Sequence, residues 1–395
     1  MTRVAATELD AFRALLTDRG RDLLAAVADL APADELAAAT RLRRDHPPAL
    51  VAAAIGQARL RERAAAKFGP DAARMFFTAD GVEQATRAPV AAWRAGRFAA
   101  RGVRRVADLC CGIGGDALAL AAAGLEVLAV DRSPLACAVA EANAAALGLA
   151  DRITVRCAAV EETDVAGCDG AFVDPARRRT GGGRVFDPEA YAPPLSWAVG
   201  LASRVPHAAL KVAPGVPHEA VPGGAEAEWV SHRGEVKEAV LWFGADPAAP
   251  RRATLLPGGH SMTGTARPAQ AGAPGRYLYE PDGAVIRAGL VADVAERVAG
   301  RLLDPRIAYV TADALRPTPF ATAYEIADVM PFNLKRLRAY LREREVGKLT
   351  VKKRGFAVTP EELRTRLKPR GPAAATVFLT RVADAPTALI GRPAP

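Results

Sequence analysis

Cysteine and lysine are both scarce in this 395-residue chain. The five cysteines (Cys110, Cys111, Cys137, Cys157, Cys168) are odd in number, fall in one stretch and make no Cys-x-x-Cys pair. The five histidines (His46, His207, His218, His232, His260) are scattered. A disulfide framework and a zinc site are therefore not expected, and the thiols read as reduced, mostly buried apolar residues. No uncharged apolar run is long enough to cross a bilayer, because Asp116 and Glu126 interrupt the most apolar region. Arg3, Glu8, Asp10 and Asp18 break up the apolar positions at the start of the chain, so no signal peptide is expected. The default expectation is a cytoplasmic protein without a membrane partner. Oligomeric state is not legible.

What is present is an ordinary globular mixture, half hydrophobic and a quarter charged, at a length that suggests two or three domains. Of 53 basic residues only 8 are lysine, and alanine is abundant, a pattern of GC-rich coding. Scattered arginine then says little, and lysine is the informative cation. Lys335, Lys348, Lys352, Lys353 and Lys368 place five of the eight close together. From Pro331 to Arg370 there are 13 basic and 4 acidic residues, which equals the formal charge of +9 for the whole chain. The basic character is local.

The apolar spacing predicts helices over residues 1–100, broken at Pro47 and Pro48. From Val103 short apolar runs alternate with helical stretches: strands end near Leu109, Val130, Cys157, Asp174 and Val212. That rhythm predicts a doubly wound, mainly parallel α/β sheet. A hairpin over Ala225–Phe243, linked at Arg233-Gly234, closes its edge. The Pro- and Gly-rich residues 245–275 read as a boundary, followed by a small α+β module. In that module a helix is expected near Ala284–Leu303, strands near Ile307, Thr322, Leu349–Lys353 and Ala375–Val382, and helices over Asn333–Glu345 and after Thr359-Pro360. The expected division is 1–100 helical, 101–245 catalytic, 246–330 connecting, and 331–395 basic.

The strongest local signal is Asp108-Leu-Cys-Cys-Gly112-Ile-Gly114-Gly115-Asp116, a strand running into a turn where a backbone can meet a ligand. Asp131 ends the second strand, where a carboxylate can accept both hydroxyls of a ribose, or alternatively cap the next helix. Glycine spacing alone does not separate a dinucleotide from other nucleosides. Asp108, four residues before the first glycine, does: it repels a pyrophosphate and attracts a cationic amino-acid moiety. Asp108, Gly112, Gly114 and Asp131 thus point to S-adenosylmethionine, whose methionine end carries an ammonium and a sulfonium.

Asp108 to Val160 resembles the class I S-adenosylmethionine-dependent methyltransferase core. Through Cys111-Gly-Ile-Gly-Gly115, Val130-Asp131-Arg-Ser-Pro134, Ala142-Asn143-Ala144 and Gly148-Leu-Ala-Asp151 it is similar to trimethylguanosine synthase and related RNA guanine-N2 methyltransferases. From about residue 45 onward the chain resembles bacterial methyltransferase-like proteins with a C-terminal THUMP-like domain. Phe77-Thr-Ala-Asp-Gly81, Asp174-Pro-Ala-Arg-Arg178, Lys211-Val-Ala-Pro-Gly215, Tyr279-Glu-Pro-Asp-Gly283 and Val351-Lys-Lys-Arg-Gly355 are among the matching stretches. Two departures stand out. The acid that commonly reads the adenine amino group is replaced by Ala159, with Glu161 or a backbone carbonyl as substitutes. The Asp/Asn/Ser-Pro-Pro-aromatic motif of amino-group methyltransferases is here Asp174-Pro175-Ala176-Arg177.

In the aromatic version the acid or amide accepts a hydrogen bond from the target amine while the ring stacks on the base. Asp174 keeps the acceptor; Arg177 could stack by its guanidinium plane or grip a phosphate, or simply belong to a solvated loop. Phe76 and Phe77 either supply the missing aromatic contact or anchor the N-terminal helices. Lys211 at the end of the fifth strand could face the substrate. In the basic module Lys335, Arg338 and Arg342 share one helix face, and Lys352, Lys353 and Arg354 cluster at a strand end. Clustered cations gain affinity for a phosphate backbone by counterion release. THUMP domains occur in RNA-modifying enzymes, so the resemblance implies methylation of a base in structured RNA, tRNA or rRNA. The alternatives are an enzyme acting on a small molecule or protein, and a non-catalytic cofactor- or RNA-binding protein.

Overall fold

The computed structural model describes residues 2–176, 187–244 and 249–395. The chain divides into two compact units, Met1–Ala225 with Val240–Asp246, and Glu226–Ala239 with Pro247–Pro395.

The first unit opens with six helices: α1 (Thr2–Leu15), α2 (Asp18–Ala26), α3 (Glu35–Leu42), α4 (Pro48–Phe68), α5 (Ala79–Gln84) and α6 (Ala88–Ala100). Polar caps set several starts, Thr17 and Thr78 each accepting from the N–H three residues on. Then come β1 (Arg105–Leu109), α7 (Gly115–Ala122), β2 (Glu126–Asp131), α8 (Pro134–Ala146), β3 (Ile153–Cys157), β4 (Gly170–Val173), α9 (Leu195–Leu201) and β5 (His207–Val212). The strands run in the order β3-β2-β1-β4-β5 and all neighbours are parallel. β1 and β4 are covered on both faces, as parallel strands under helices must be. The order reverses at β1, so the crevice for a ligand opens at the carboxyl ends of β1 and its neighbours.

The second unit holds β6 (Glu226–His232), joined by the expected tight turn to β7 (Glu235–Phe243), whose stretch from Val240 on belongs to the first unit and lies beside β5. Arg233 and Gly234 both take positive φ, 54° and 80°, as a two-residue hairpin turn requires. β8 (Arg251–Leu256) pairs parallel to β6 and antiparallel to β9 (His260–Gly264). Two strands therefore occupy the stretch expected to be a boundary: Pro250, Pro257, Gly258 and Gly259 bracket β8 rather than interrupt it.

Next follow β10 (Tyr277–Pro281), α10 (Gly283–Ala288), α11 (Val291–Arg297), β11 (Arg301–Asp304), β12 (Ile307–Ala312) and β13 (Ala321–Pro331). The chain closes with α12 (Leu334–Glu343), β14 (Val346–Lys353), α13 (Pro360–Leu367), β15 (Ala373–Val382) and β16 (Ala385–Pro393). The single helix expected near Ala284–Leu303 is two short helices and a strand, because Gly289 ends α10 in the left-handed region. β10 to β16 form one sheet in the order β11-β12-β10-β13-β16-β15-β14. β13 pairs with β10 on one side and β16 on the other. Residue 331 thus marks a change of charge, and the fold runs straight through it. Leu337 and Leu341 of α12 and Leu363 and Leu367 of α13 pack on Leu349, Val351 and Val377 of the sheet.

Candidate functional site

β1 delivers Asp108 at its end and then turns sharply. Cys110 (φ 65°), Gly112 (φ 55°) and Gly114 (φ 85°) all lie in the left-handed region, where glycine is at ease and cysteine is strained. Gly114 caps α7, and a Cβ there would press on Ala140 at 3.2 Å. A Cβ on Gly112 would meet nothing within 4 Å; its absence keeps the backbone open to a ligand. The Gly112 N–H donates to Asp131 Oδ2 at 3.0 Å and the Ser133 N–H to Asp131 Oδ1 at 2.9 Å. Asp131 therefore braces the loop from the end of β2, and the helix after Pro134 is capped by Ser133.

Asp108 is 1% exposed, and both of its carboxylate oxygens are buried without a hydrogen-bond partner. Burial first, then the nearby Asp116 and Asp174, push its pKa well above the usual carboxylate range, against the pull of Arg94. A buried acid in this state lacks a cation. Arg94, also buried, is committed elsewhere: it pairs with Asp116 and lies 4.1 Å over the Phe172 ring. Cys110 sits among carboxylates as well, and burial with Asp131, Asp174, Asp108 and Glu161 drives its thiol pKa far upward. That thiol is no nucleophile. Glu161, the possible stand-in for the missing adenine-reading acid, is exposed on the turn after β3, while Ala159 is half-buried.

Asp174 follows β4 directly, and its N–H donates to the Leu109 carbonyl of β1. Sequence reasoning gave Lys211 little weight, yet its Nζ donates to Asp174 Oδ2 at 2.7 Å and to Thr86 Oγ1 at 2.9 Å. The strand register, Val173 beside Leu210, makes the next residues Asp174 and Lys211 neighbours. Arg177 lies outside the described residues. Phe76 and Phe77 are buried, Phe76 against Phe12 and Phe77 against Phe68. Asn143 accepts from the Phe76 N–H and donates to the Phe76 and Ile113 carbonyls. The pair therefore packs as an anchor between the N-terminal helices and the glycine loop.

In the second unit Asn333 caps α12, and Lys335 and Arg342 stand exposed on it. Arg338 is half-buried and donates to the Arg366 carbonyl of α13. Lys352 and Arg354 both pair with Glu280 of β10, and Lys353 reaches the Ala357 carbonyl at 3.5 Å. The six cations expected to meet RNA are thus of three kinds: Lys335 and Arg342 face water, Arg338 and Lys353 donate to backbone carbonyls, and Lys352 and Arg354 pair with Glu280.

The donor set suits S-adenosylmethionine. The orphaned Asp108 carboxylate matches an ammonium, Asp131 matches a diol at the end of β2, and Gly112 leaves the approach clear. Among the described residues no group of three or more His, Cys, Asp or Glu side chains could hold a metal ion, and no helix is long and apolar enough to cross a membrane.

Three family models match parts of the chain: a methyltransferase domain over residues 106–173, a THUMP domain-like model over residues 321–393, and a domain of unknown function over residues 8–64. The chain is 35% identical over 335 residues to uncharacterized S-adenosylmethionine-dependent methyltransferases of Mycobacterium tuberculosis strains CDC 1551 and H37Rv, covering 82% of this chain and 90% of each relative. A crystal structure of a protein assigned as a methyltransferase, from Porphyromonas gingivalis W83, superposes with a TM-score of 0.77 at 22% identity, covering 95% of this chain and 99% of that one. That last likeness is one of fold. The crevice geometry and the relatives agree, and the chain belongs to the class I S-adenosylmethionine-dependent methyltransferases, with a C-terminal THUMP-like domain.

Proposed function

We propose that this enzyme methylates a base in structured RNA, tRNA or rRNA, in the cytoplasm. The observation that carries the reading is the placement of the excess charge. The +9 of Pro331–Arg370 lies wholly within the stretch matched by the THUMP-like model, and its α12 presents Lys335 and Arg342 to solvent.

S-adenosylmethionine supplies a methyl group already activated on a sulfonium. Asp108 would hold the ammonium of its methionine end, the Gly112–Gly114 backbone would line its path, and Asp131 would take the ribose hydroxyls. Asp174 would accept a hydrogen bond from the target group, aiming its lone pair at the methyl carbon. Arg177 would place the base or its phosphate. Since transfer from a sulfonium is downhill, alignment is the main service required of the protein.

Binding to bulk tRNA or rRNA tests the RNA reading. Affinity is expected to fall steeply with salt, and Lys335→Ala with Arg342→Ala is expected to flatten the log–log slope by about 2, close to one unit per lost phosphate contact. Salt-independent binding, or an unchanged slope in the double variant, would count against RNA contact through α12.

A further inference from the structure

We infer that Lys211, backed by Thr86, is a positioning residue: it commits one oxygen of Asp174 and leaves the other as the acceptor, so the atom that receives the methyl group must carry a hydrogen of its own. The inference rests on the reading of Asp174 given above. Lys211 is 6% exposed and Asp174 23% by side chain, so the lysine reaches the crevice from beneath while the carboxylate fronts it. An ammonium donates and never accepts. Its bonds to Asp174 Oδ2 and to Thr86 Oγ1 fix the carboxylate in one orientation as an acceptor-only anion. Thr86 lies between α5 and α6, and its neighbourhood is held by Lys67 Nζ, which donates to the Glu83 and Ala85 carbonyls at 2.6 and 2.8 Å. The helical N-terminal region therefore contributes a hydroxyl to the acceptor side of the site.

Among the described residues, Oδ1 is the oxygen left for the substrate. A group with an N–H or O–H can donate to it and turn its lone pair toward the methyl carbon. The lone pair then forms the new bond as the carbon–sulfur bond breaks with its electron pair left on sulfur, and the acceptor's hydrogen leaves as a proton through Oδ1 to water. A bare ring nitrogen such as purine N7 has no hydrogen to offer and would set its lone pair against the carboxylate. The acceptor class is thus an exocyclic amine, a ring N–H or a hydroxyl.

The test uses the full chain, tritiated S-adenosylmethionine and an extract of cells lacking the gene, separated afterwards into RNA, protein and small molecules. Lys211→Met is expected to slow transfer at least about 30-fold, somewhat less than the roughly 10²–10⁴-fold of a lost proton-handling group because it acts through Asp174, while cofactor affinity by calorimetry changes less than about threefold, with partial rescue by Lys211→Arg. In an Asp174→Asn background Lys211→Met is expected to add little, because its role runs through that carboxylate. If Lys211→Met folds poorly, Thr86→Val, which removes the hydroxyl bonded to Lys211, carries the same comparison in both backgrounds. An equal slowing in both backgrounds, a Lys211→Met rate near wild type, or a product methylated on purine N7 would overturn the inference. Label found outside RNA would refute the RNA reading and leave the rate comparison intact.

Discussion

Asp174→Ala is expected to lose methyl transfer by about 10²–10⁴-fold, the range for a group that handles the acceptor's proton, while keeping cofactor affinity within about threefold. The reason is spatial: the proposed cofactor contacts come from β1, the glycine loop and β2, whereas Asp174 stands at the end of β4 beside β5. Asp174→Asn keeps one oxygen acceptor and should lose less than the alanine variant. Single-turnover transfer with separate calorimetry of cofactor binding reads both quantities. Turnover of Asp174→Ala equal to wild type would remove this carboxylate from the chemistry, and a parallel loss of cofactor affinity would move it to the other side of the site.

The second large effect is on stability. Arg94 and Asp116 form a pair whose side chains are 2% and 10% exposed, and the arginine also covers Phe172. Arg94→Met is expected to destabilise the protein by about 3–5 kcal/mol, since it strands a buried carboxylate. Asp108 lies close enough to feel both partners, so the loss should be accompanied by weaker cofactor binding. Replacing both, Arg94→Met with Asp116→Leu, is expected to recover part of the stability, because the Asp116 carboxylate is then no longer stranded. Denaturant unfolding midpoints measure this. A loss below about 1 kcal/mol in the single variant, the size typical of an exposed pair, would show that Asp116 reaches water.

The parts of the site that could be read in the sequence share a property: their geometry is set locally. Gly112, Gly114 and Asp108 lie in one turn, and Asp131 comes at the end of the very next strand, so spacing along the chain stands in for distance in space. The helix cap Thr359 is legible for the same reason, whereas the helix after Pro134 is capped by Ser133 and not by Asp131. What spacing does not convey is pairing across the fold. Lys211 meets Thr86 from 125 residues away, and Asn143 meets Phe76 from 67. Lys352 finds Glu280 at a separation of 72, which turns a cation expected for RNA into part of an ion pair. Each of these needed the folded chain before it could be seen. The strand β8 was missed for another reason, since counting prolines and glycines over a window does not show that they stand at its ends. Charge behaved oppositely: it located the basic segment correctly along the chain, yet suggested a division at residue 331 that the hydrogen bonding of β13 ignores.

The proposed function turns on one product. Nucleoside mass spectrometry of tRNA and rRNA from cells with and without this gene reads it directly. One methylated nucleoside, carrying its methyl group on an atom that bore a hydrogen, is expected to disappear when the gene is removed and to return with the intact enzyme but not with Asp174→Ala. RNA whose methylated nucleosides are the same in both strains would contradict the proposed function.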